Sequence, residues 1–121
     1  MTTEQFDNLC ETLNRTRTAI IMSKRPEYTE GHADILNNFK VVAAELGLTP
    51  LQVWYVYFRK HVASIGQFCA DDSRKLSEPI TGRICDAMNY LELLHALVKE
   101  KEKQTIEKVL VTPYAEPHDS N

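Results

Sequence analysis

Residues 83–97, RICDAMNYLELLHAL, constrain the fold more than any other stretch of the sequence. One apolar line at helical spacing begins there and is formed by Ile84, Met88, Leu91, Leu94 and Val98. A second line on the same helix is formed by Tyr90, Leu93 and Leu97. A helix that is apolar on two sides must cover both of them with protein. The segment therefore predicts a helix at the centre of a bundle or in a dimer interface.

Three further segments show the 3.6-residue period of amphipathic helices. We predict them over residues 3 to about 22, about 32 to 46 and 50 to about 68. The third has the clearest start, because Thr49 can cap it and Gln52 can complete a capping box. The central helix is predicted to begin around Glu78, between a serine and a proline.

Residues 23–31, SKRPEYTEG, are predicted to form a loop, because Pro26 and Gly31 break the helical period. No strand period of two and no internal repeat appear, and 4 Gly and 5 Pro leave little material for turns. A chain of 121 residues usually makes one domain. We therefore predict an all-α four-helix bundle over residues 1–108 that forms oligomers, followed by a flexible polar tail over residues 109–121.

The charge and the cysteines exclude several classes of function. A net charge of −3 does not supply the basic field of a duplex nucleic-acid binder. The three cysteines lack the spacing of a zinc site and are expected to be reduced thiols. The N-terminal stretch has neither the apolar core of a signal peptide nor the length of a membrane span. We therefore expect a cytoplasmic protein with no membrane partner.

Polar side chains that share a helix face define the candidate site, since residues three or four apart are neighbours. Carboxylates for a divalent cation are available from Asp34 and Asp86. Lys60 and Arg83 are candidates for binding phosphate, and Asn38 and Asn89, with an aromatic ring, are candidates for binding a base. His61 and Ser64 cluster with Lys60 on the third helix. These types of residue in one inter-helix pocket point to a nucleotide with magnesium.

Several of the candidates also have a purely structural explanation. Asp86 and Arg83 can form an ordinary intrahelical ion pair, and His61 can be a hydrogen-bonded core histidine. Asp34 can simply favour the dipole of its helix. The two asparagines resist such an explanation, because an amide has poor propensity in mid-helix and must find a partner when buried.

The order EYTEGHADILNNF, WYVYFRKHVASI, SEPITGRICDAMNYLELL resembles the nucleotide-modification-associated domains. These are small all-α proteins, frequent in phage genomes and distantly related to the MazG-like nucleoside triphosphate pyrophosphatases. The resemblance covers about residues 26–97, and D-x-x-N-Y is its most specific piece. The matching positions are Tyr28, Asn38, Phe39, Lys60, Glu78, Asp86, Asn89 and Tyr90. The resemblance implies a nucleotide-handling fold, often dimeric or higher, with magnesium where the acids permit.

The chain departs from the MazG-like enzymes in its acids. Those enzymes carry E-x-x-E on one helix and E-x-x-D on another, whereas this chain has Asp34 with Glu45, and Asp86 with Asn89. Asp34 and Glu45 would lie about 16 Å apart along a helix, too far to hold one ion. A magnesium site must therefore combine acids from different helices, most simply Asp34 with Asp86.

Three functions remain open. The first is a nucleotide-binding, magnesium-dependent pyrophosphohydrolase in which Asp86 and Glu78 are catalytic and Tyr28 adds an aromatic ring to the site. The second is a non-catalytic phage sponge that sequesters a signalling nucleotide in the host cytoplasm. The third is a helical interaction module that binds no ligand.

Overall fold

The computed structural model describes residues 1–73 and 75–111 of the chain. Its helices are α1 (Thr3–Thr29), α2 (Asn37–Leu46), α3 (Pro50–Ala70) and α4 (Ile80–Val111). No strand occurs within these residues, so the all-α, four-helix prediction is confirmed. The tail was predicted from residue 109, but α4 continues to Val111. Residues 112–121 lie outside the described part of the chain.

α1 is longer than predicted, because the expected loop over residues 23–31 is helical as far as Thr29. Pro26 lies inside the helix and cannot donate to the carbonyl of Met22. Met22 itself is 56% exposed. Tyr28, two residues after Pro26, is buried and anchors the end of the helix. Packing thus outweighs the local cost of the proline.

α2 begins later than predicted, at Asn37 rather than near His32. Asp34 accepts a hydrogen bond from the backbone nitrogen of Leu36 at 2.9 Å and holds the preceding residues in a turn. The predicted end is confirmed, because Gly47 adopts the left-handed conformation with φ of 69° after Leu46.

The start of α3 is as predicted. Thr49 Oγ1 accepts from the Gln52 backbone nitrogen at 3.1 Å, and Gln52 Oε1 accepts from the Thr49 backbone nitrogen at 2.9 Å. This reciprocal pair satisfies two donors that the first helical turn would leave open. The helix then continues to Ala70, slightly beyond the predicted end.

The four helices form a closed ring, in which α4 packs against α1 and α3, and α2 packs against α3 and α1. Only one of the two apolar lines of α4 is buried: Leu93 and Leu97 belong to the core, as does Cys85. The other line stays partly open to solvent, with Leu91 49% exposed. Within one chain the bundle covers one of the two lines, and the predicted dimer interface that would cover the other stays a prediction.

Aromatic rings fill the core where α2, α3 and α4 meet. Phe39 is completely buried and meets the Tyr57 and Tyr90 rings edge-on, at centroid distances of 6.4 and 6.1 Å. Trp54 stacks on Phe58 at 4.7 Å and donates from Nε1 to the Tyr90 carbonyl at 2.7 Å. These contacts fix the position of Tyr90, which forms the floor of the candidate site.

Both long helices extend beyond the bundle. In the first part of α1, residues 3–16, every residue except Leu13 is exposed; this segment is called the arm. Residues 101–110 of α4 are also exposed and are called the extension. None of the helices in the described part of the chain combines the length and the apolar character needed to cross a bilayer.

Candidate functional site

The candidate site lies over the first half of α4 and centres on Asp86. Its carboxylate accepts a hydrogen bond from Lys24 Nζ of α1 at 2.9 Å. The Asp86 side chain is 15% exposed and that of Lys24 is 37% exposed, so the ion pair is only partly screened by solvent. The intrahelical Arg83–Asp86 pair considered from the sequence is not the contact that forms. We call Lys24, His61, Arg83, Asp86 and Tyr90 the polar cluster.

Arg83 reaches across to α3 instead. Its Nη1 donates to the Ser64 hydroxyl and, at 3.4 Å, to the Ser64 carbonyl. A guanidinium carries five N–H groups, so these contacts use only part of its hydrogen-bonding capacity. Arg83 therefore ties α4 to α3 one turn before Asp86 and brings a second cation to the same side of the helix.

The two rings of the cluster, His61 and Tyr90, pack against each other, and Tyr28 packs against Tyr90. His61 of α3 lies against Tyr90 at a centroid distance of 4.4 Å, and Tyr28 of α1 meets Tyr90 edge-on at 6.3 Å. Burial, reinforced by the charges of Asp86 and Glu27, raises the pKa of Tyr28 to about 12. Burial likewise raises the pKa of Tyr90 well above its usual value of 10.0. Both phenols are neutral hydrogen-bonding groups near neutral pH.

His61 titrates under opposing influences. Its removal from water lowers its pKa below the usual 6.5, whereas the carboxylates of Asp86 and Glu78 act in the opposite direction. Lys24 and Lys60 add to the lowering. At neutral pH the imidazole is therefore mostly uncharged. The same contributions show that Glu78, although exposed, acts on the same ring as Asp86.

Asn89 is not a ligand-facing amide. It is 1% exposed, and its Nδ2 donates to the backbone carbonyl of Arg17 at 2.9 Å. The Arg17 guanidinium pairs in turn with Glu92. Within the described residues, Asn89 Oδ1 and Arg17 Nε have no hydrogen-bond partner. Asn89 therefore holds α1 against α4, and its predicted contact with a nucleotide is not available in this conformation.

Asp34 lies away from the polar cluster. Lys40 bridges it to Glu100 near the far end of α4. Burial opposes ionisation of Asp34, but hydrogen bonds from Lys40 and from the Leu36 backbone outweigh it and hold the pKa of this carboxyl below 3.8. Glu100 is about 21 Å from Asp86 along α4 at 1.5 Å per residue. The predicted metal pair of Asp34 with Asp86 is therefore not brought together.

The remaining predicted residues border the site or lie outside it. Lys60 is exposed beside His61, with its Nζ 5.8 Å from the Tyr57 ring centroid. Asn38 is half-buried on α2, next to the buried Phe39. Among residues 1–73 and 75–111, no three His, Cys, Asp or Glu side chains form a group that could hold a metal ion.

Lys24 and Arg17 make contacts with α4 at the candidate site that were not predicted from the sequence. Arg17 interrupts the apolar stripe of α1, Lys24 follows seven residues later, and Tyr28 follows one turn after that. This spacing places all three on one helix face. The predicted break before Pro26 hid it, because Lys24 and Tyr28 were assigned to a loop.

No known protein family, curated protein or solved structure matches the chain. The geometry of the cluster, together with the sequence resemblance, is thus the basis for interpreting its function.

Proposed function

We propose that this chain is a nucleotide-binding protein of MazG-like ancestry that holds the phosphates of a nucleotide over the first half of α4 without hydrolysing it. One observation carries the proposal. Lys24 of α1 pairs with the Asp86 carboxylate of α4, and the charge of Asp86 acts on His61 of α3. Arg83 lies one turn before Asp86 on α4 and donates to Ser64 of α3. Two cations and one imidazole, from three helices, thus lie along the first half of α4.

The donors suit a phosphate. Lys24 retains two N–H groups beyond the one given to Asp86, and Arg83 retains several beyond those given to Ser64. Charge-assisted hydrogen bonds of this kind are the strong ones in phosphate recognition. The exposed Arg59 and Lys60 on the adjacent face of α3 add attraction for an anion. Tyr28 and Asn89 hold α1 against α4 and so keep Lys24 in position.

The pairing of the acids favours binding over hydrolysis. Asp86 is engaged by Lys24, and Asp34 is engaged by Lys40. A divalent ion at Asp86 would have to displace an ammonium group that already satisfies the carboxylate. A phosphate, by contrast, needs only the remaining donors. This arrangement supports a sponge-like role, in which a nucleotide is sequestered rather than processed.

Calorimetric titration of mono-, di- and triphosphate nucleotides, with and without Mg²⁺, tests the proposal. Lys24→Ala should weaken binding at least about tenfold, because a hydrogen bond to a charged group contributes about 1.5–3 kcal/mol. Asp86→Asn should leave binding intact or strengthen it, since it frees Lys24. Lys103→Ala, on the exposed extension, is the matched control and should bind as the parent does.

Two results would overturn the sponge. Loss of binding in Asp86→Asn would show that the carboxylate, and not the cations, holds the ligand. A complete lack of response to every nucleotide would leave the helical interaction module as the better description.

A magnesium-dependent pyrophosphohydrolase is the second candidate, because Glu78 and Asp86 both act on the His61 ring. In this case Asp86 and the nucleotide phosphates would hold the ion, and Glu78 would orient water. Phosphate or pyrophosphate release in the presence of Mg²⁺ measures this activity directly. Release that is abolished in both Asp86→Asn and Glu78→Gln would favour the hydrolase over the sponge.

A further inference from the structure

The arm is a helix without support from its own chain. Its 14 residues, 3–16, extend for about 20 Å at 1.5 Å per residue. An isolated helix of this length is only marginally stable in water. Its apolar side chains follow one face and are largely exposed: Phe6 is 57% and Leu9 53% exposed, and Cys10 and Leu13 continue the line. Such a face is stabilised when another protein surface covers it.

A groove between the start of α3 and the second half of α4 offers an apolar surface that such a face can cover. It begins as a cavity of about 350 Å³ between the start of α3 and α4, above Leu51 and Leu97. It continues along the extension as a shallower depression that includes Val98, Thr105 and Ile106. Leu51 and Lys101 line both parts, so the two form one channel. The floor is apolar and its long axis follows α4.

The charges of the two surfaces are also complementary. The arm carries three acidic side chains, Glu4, Asp7 and Glu11, against one arginine. On the rim of the groove, Glu100 and Glu102 are neutralised by Lys40 and Lys99. Lys101 has no ion-pair partner within the described residues and lies at the middle of the groove. The acidic arm also disfavours an anionic lipid surface, which attracts basic helices.

We infer that the arm of one copy packs into this groove of a second copy. The apolar face of the arm covers the floor of the groove, and Glu4 or Asp7 approaches Lys101. Two such contacts, related by a twofold axis, close a dimer. The interface uses the arm and the groove and none of the polar cluster, so it is independent of the proposed nucleotide site.

Sedimentation velocity over a range of protein concentrations tests the association. The parent chain should sediment as a species of twice its 13.9 kDa mass. Leu9→Asp should give a monomer under the same conditions. Val62→Asp is the matched control, because Val62 is 52% exposed on α3 and lies outside both surfaces, and it should remain dimeric. Far-ultraviolet circular dichroism verifies that each variant is folded.

Cross-linking locates the contact. One population keeps Cys10 as its only exposed cysteine, through Cys69→Ser, and the other carries Thr105→Cys with Cys10→Ser and Cys69→Ser. A short bis-maleimide should join Cys10 of the first population to position 105 of the second when the two are mixed. Joining of Cys10 to Cys10 alone would indicate arm-to-arm packing and overturn the inference. A parent chain that stays monomeric at every concentration, or a Leu9→Asp variant that stays dimeric, would overturn it as well.

Discussion

Asn89 shows how one buried amide can decide the position of a helix. It is the buried polar residue of the core, and its donor reaches a backbone carbonyl in the middle of α1. That carbonyl belongs to Arg17, whose side chain makes the ion pair with Glu92 on the same side of α4. A buried amide is costly unless it is bonded, so the contact favours one register of α1 on α4 over its neighbours.

Asn89→Ala should lower the free energy of unfolding by about 1–3 kcal/mol, the usual cost of disrupting a buried hydrogen bond. Urea unfolding followed by circular dichroism measures the change. Gln67→Ala, at an exposed position on α3, serves as the control and should be neutral. Equal stability of Asn89→Ala and the parent would show that the amide does not anchor α1.

His61 should make the stability depend on pH. Since burial lowers its pKa below 6.5, the unfolded chain binds this proton more tightly than the folded chain. The folded protein is therefore most stable, as far as His61 is concerned, above about pH 6.5. This stability declines as the pH falls through the lower pKa that His61 has in the folded state. Asp34 contributes in a separate range, because its pKa lies below 3.8.

Urea unfolding at about pH 7.5 and about pH 5.5 measures this dependence, since the interval spans the ordinary histidine pKa. His61→Gln should reduce the loss of stability between the two conditions, even if it lowers stability at both. His95→Gln, at an exposed position of α4, should leave the loss unchanged. An identical pH dependence in His61→Gln and the parent would contradict the assignment.

The polar residues of the site were only partly predictable for a physical reason. Helical spacing determines which way a side chain faces, so it indicated that Asp86, Arg83 and Ser64 face neighbouring helices, while their contacts with a ligand stay predictions. The partner of each residue was not predictable. Whether Asp86 pairs with Arg83 or with Lys24 depends on how α1 crosses α4, and helical spacing within one element carries no information about the crossing.

At the scale of the element, the same capping box occurs twice, once before an exposed helical segment and once before a buried one. Thr2 and Gln5 close the first turn of the arm, and Thr49 and Gln52 close the first turn of α3. The hydrogen bonds are nearly equal in length, since both threonine hydroxyls accept at 3.1 Å. Only the second box precedes buried residues, Val53 and Trp54. The two capping boxes should therefore contribute differently to the free energy of unfolding.

Thr49→Ala should lower the free energy of unfolding by about 1 kcal/mol, the typical effect of losing an N-cap. Thr2→Ala should have little effect at low protein concentration, because the arm can fray without exposing any core. Parallel urea titrations of the two variants measure the difference. Equal losses would mean that the arm folds cooperatively with the bundle of its own chain.

The elements themselves were predictable where local chemistry sets their ends, and less so where packing does. The start of α3 could be predicted from the N-cap residue Thr49, and the end of α2 could be predicted from the C-cap residue Gly47. Pro26 misled, because its cost is local while the compensation comes from the burial of Tyr28 against α4. A proline near the end of a helix thus predicts the helix boundary less well than a capping residue does.

At the scale of the whole molecule, α4 separates two surfaces. The polar cluster lies around Asp86, and the groove lies around Lys101, about 22 Å further along the helix. α1 connects them across copies, because its first half forms the arm and its second half carries Lys24. The proposed dimer contact and the polar cluster therefore use different halves of the same helix.

Hydrogen exchange should reveal this arrangement. Amides of the arm and of the extension should become more protected as the protein concentration rises, whereas those of α3 around Trp54 should not change. Mass-spectrometric exchange at two concentrations makes the comparison, and Leu9→Asp should remove the effect. Arm amides that exchange at one rate whatever the concentration would indicate an arm that stays free.

The fold class could be predicted because the helical period extends through most of the chain and turn-forming residues are scarce. The burial of α4 could not be predicted in full. Both of its apolar lines have the same periodicity, yet the bundle covers Leu93 and Leu97 and leaves Leu91 half-exposed. Which line faces inward depends on the number of neighbouring helices available, a property of the assembly and not of the segment.

The hydrogen bond from Trp54 to the Tyr90 carbonyl gives the protein a built-in optical probe. Trp54 is the one tryptophan of the chain, it is 6% exposed, and Tyr90 lies directly beneath His61. Indole emission depends on the polarity and hydrogen bonding around the ring. Trp54 fluorescence can thus monitor the α3–α4 contact during unfolding without a label. Through Tyr90, the same signal can report changes at the polar cluster.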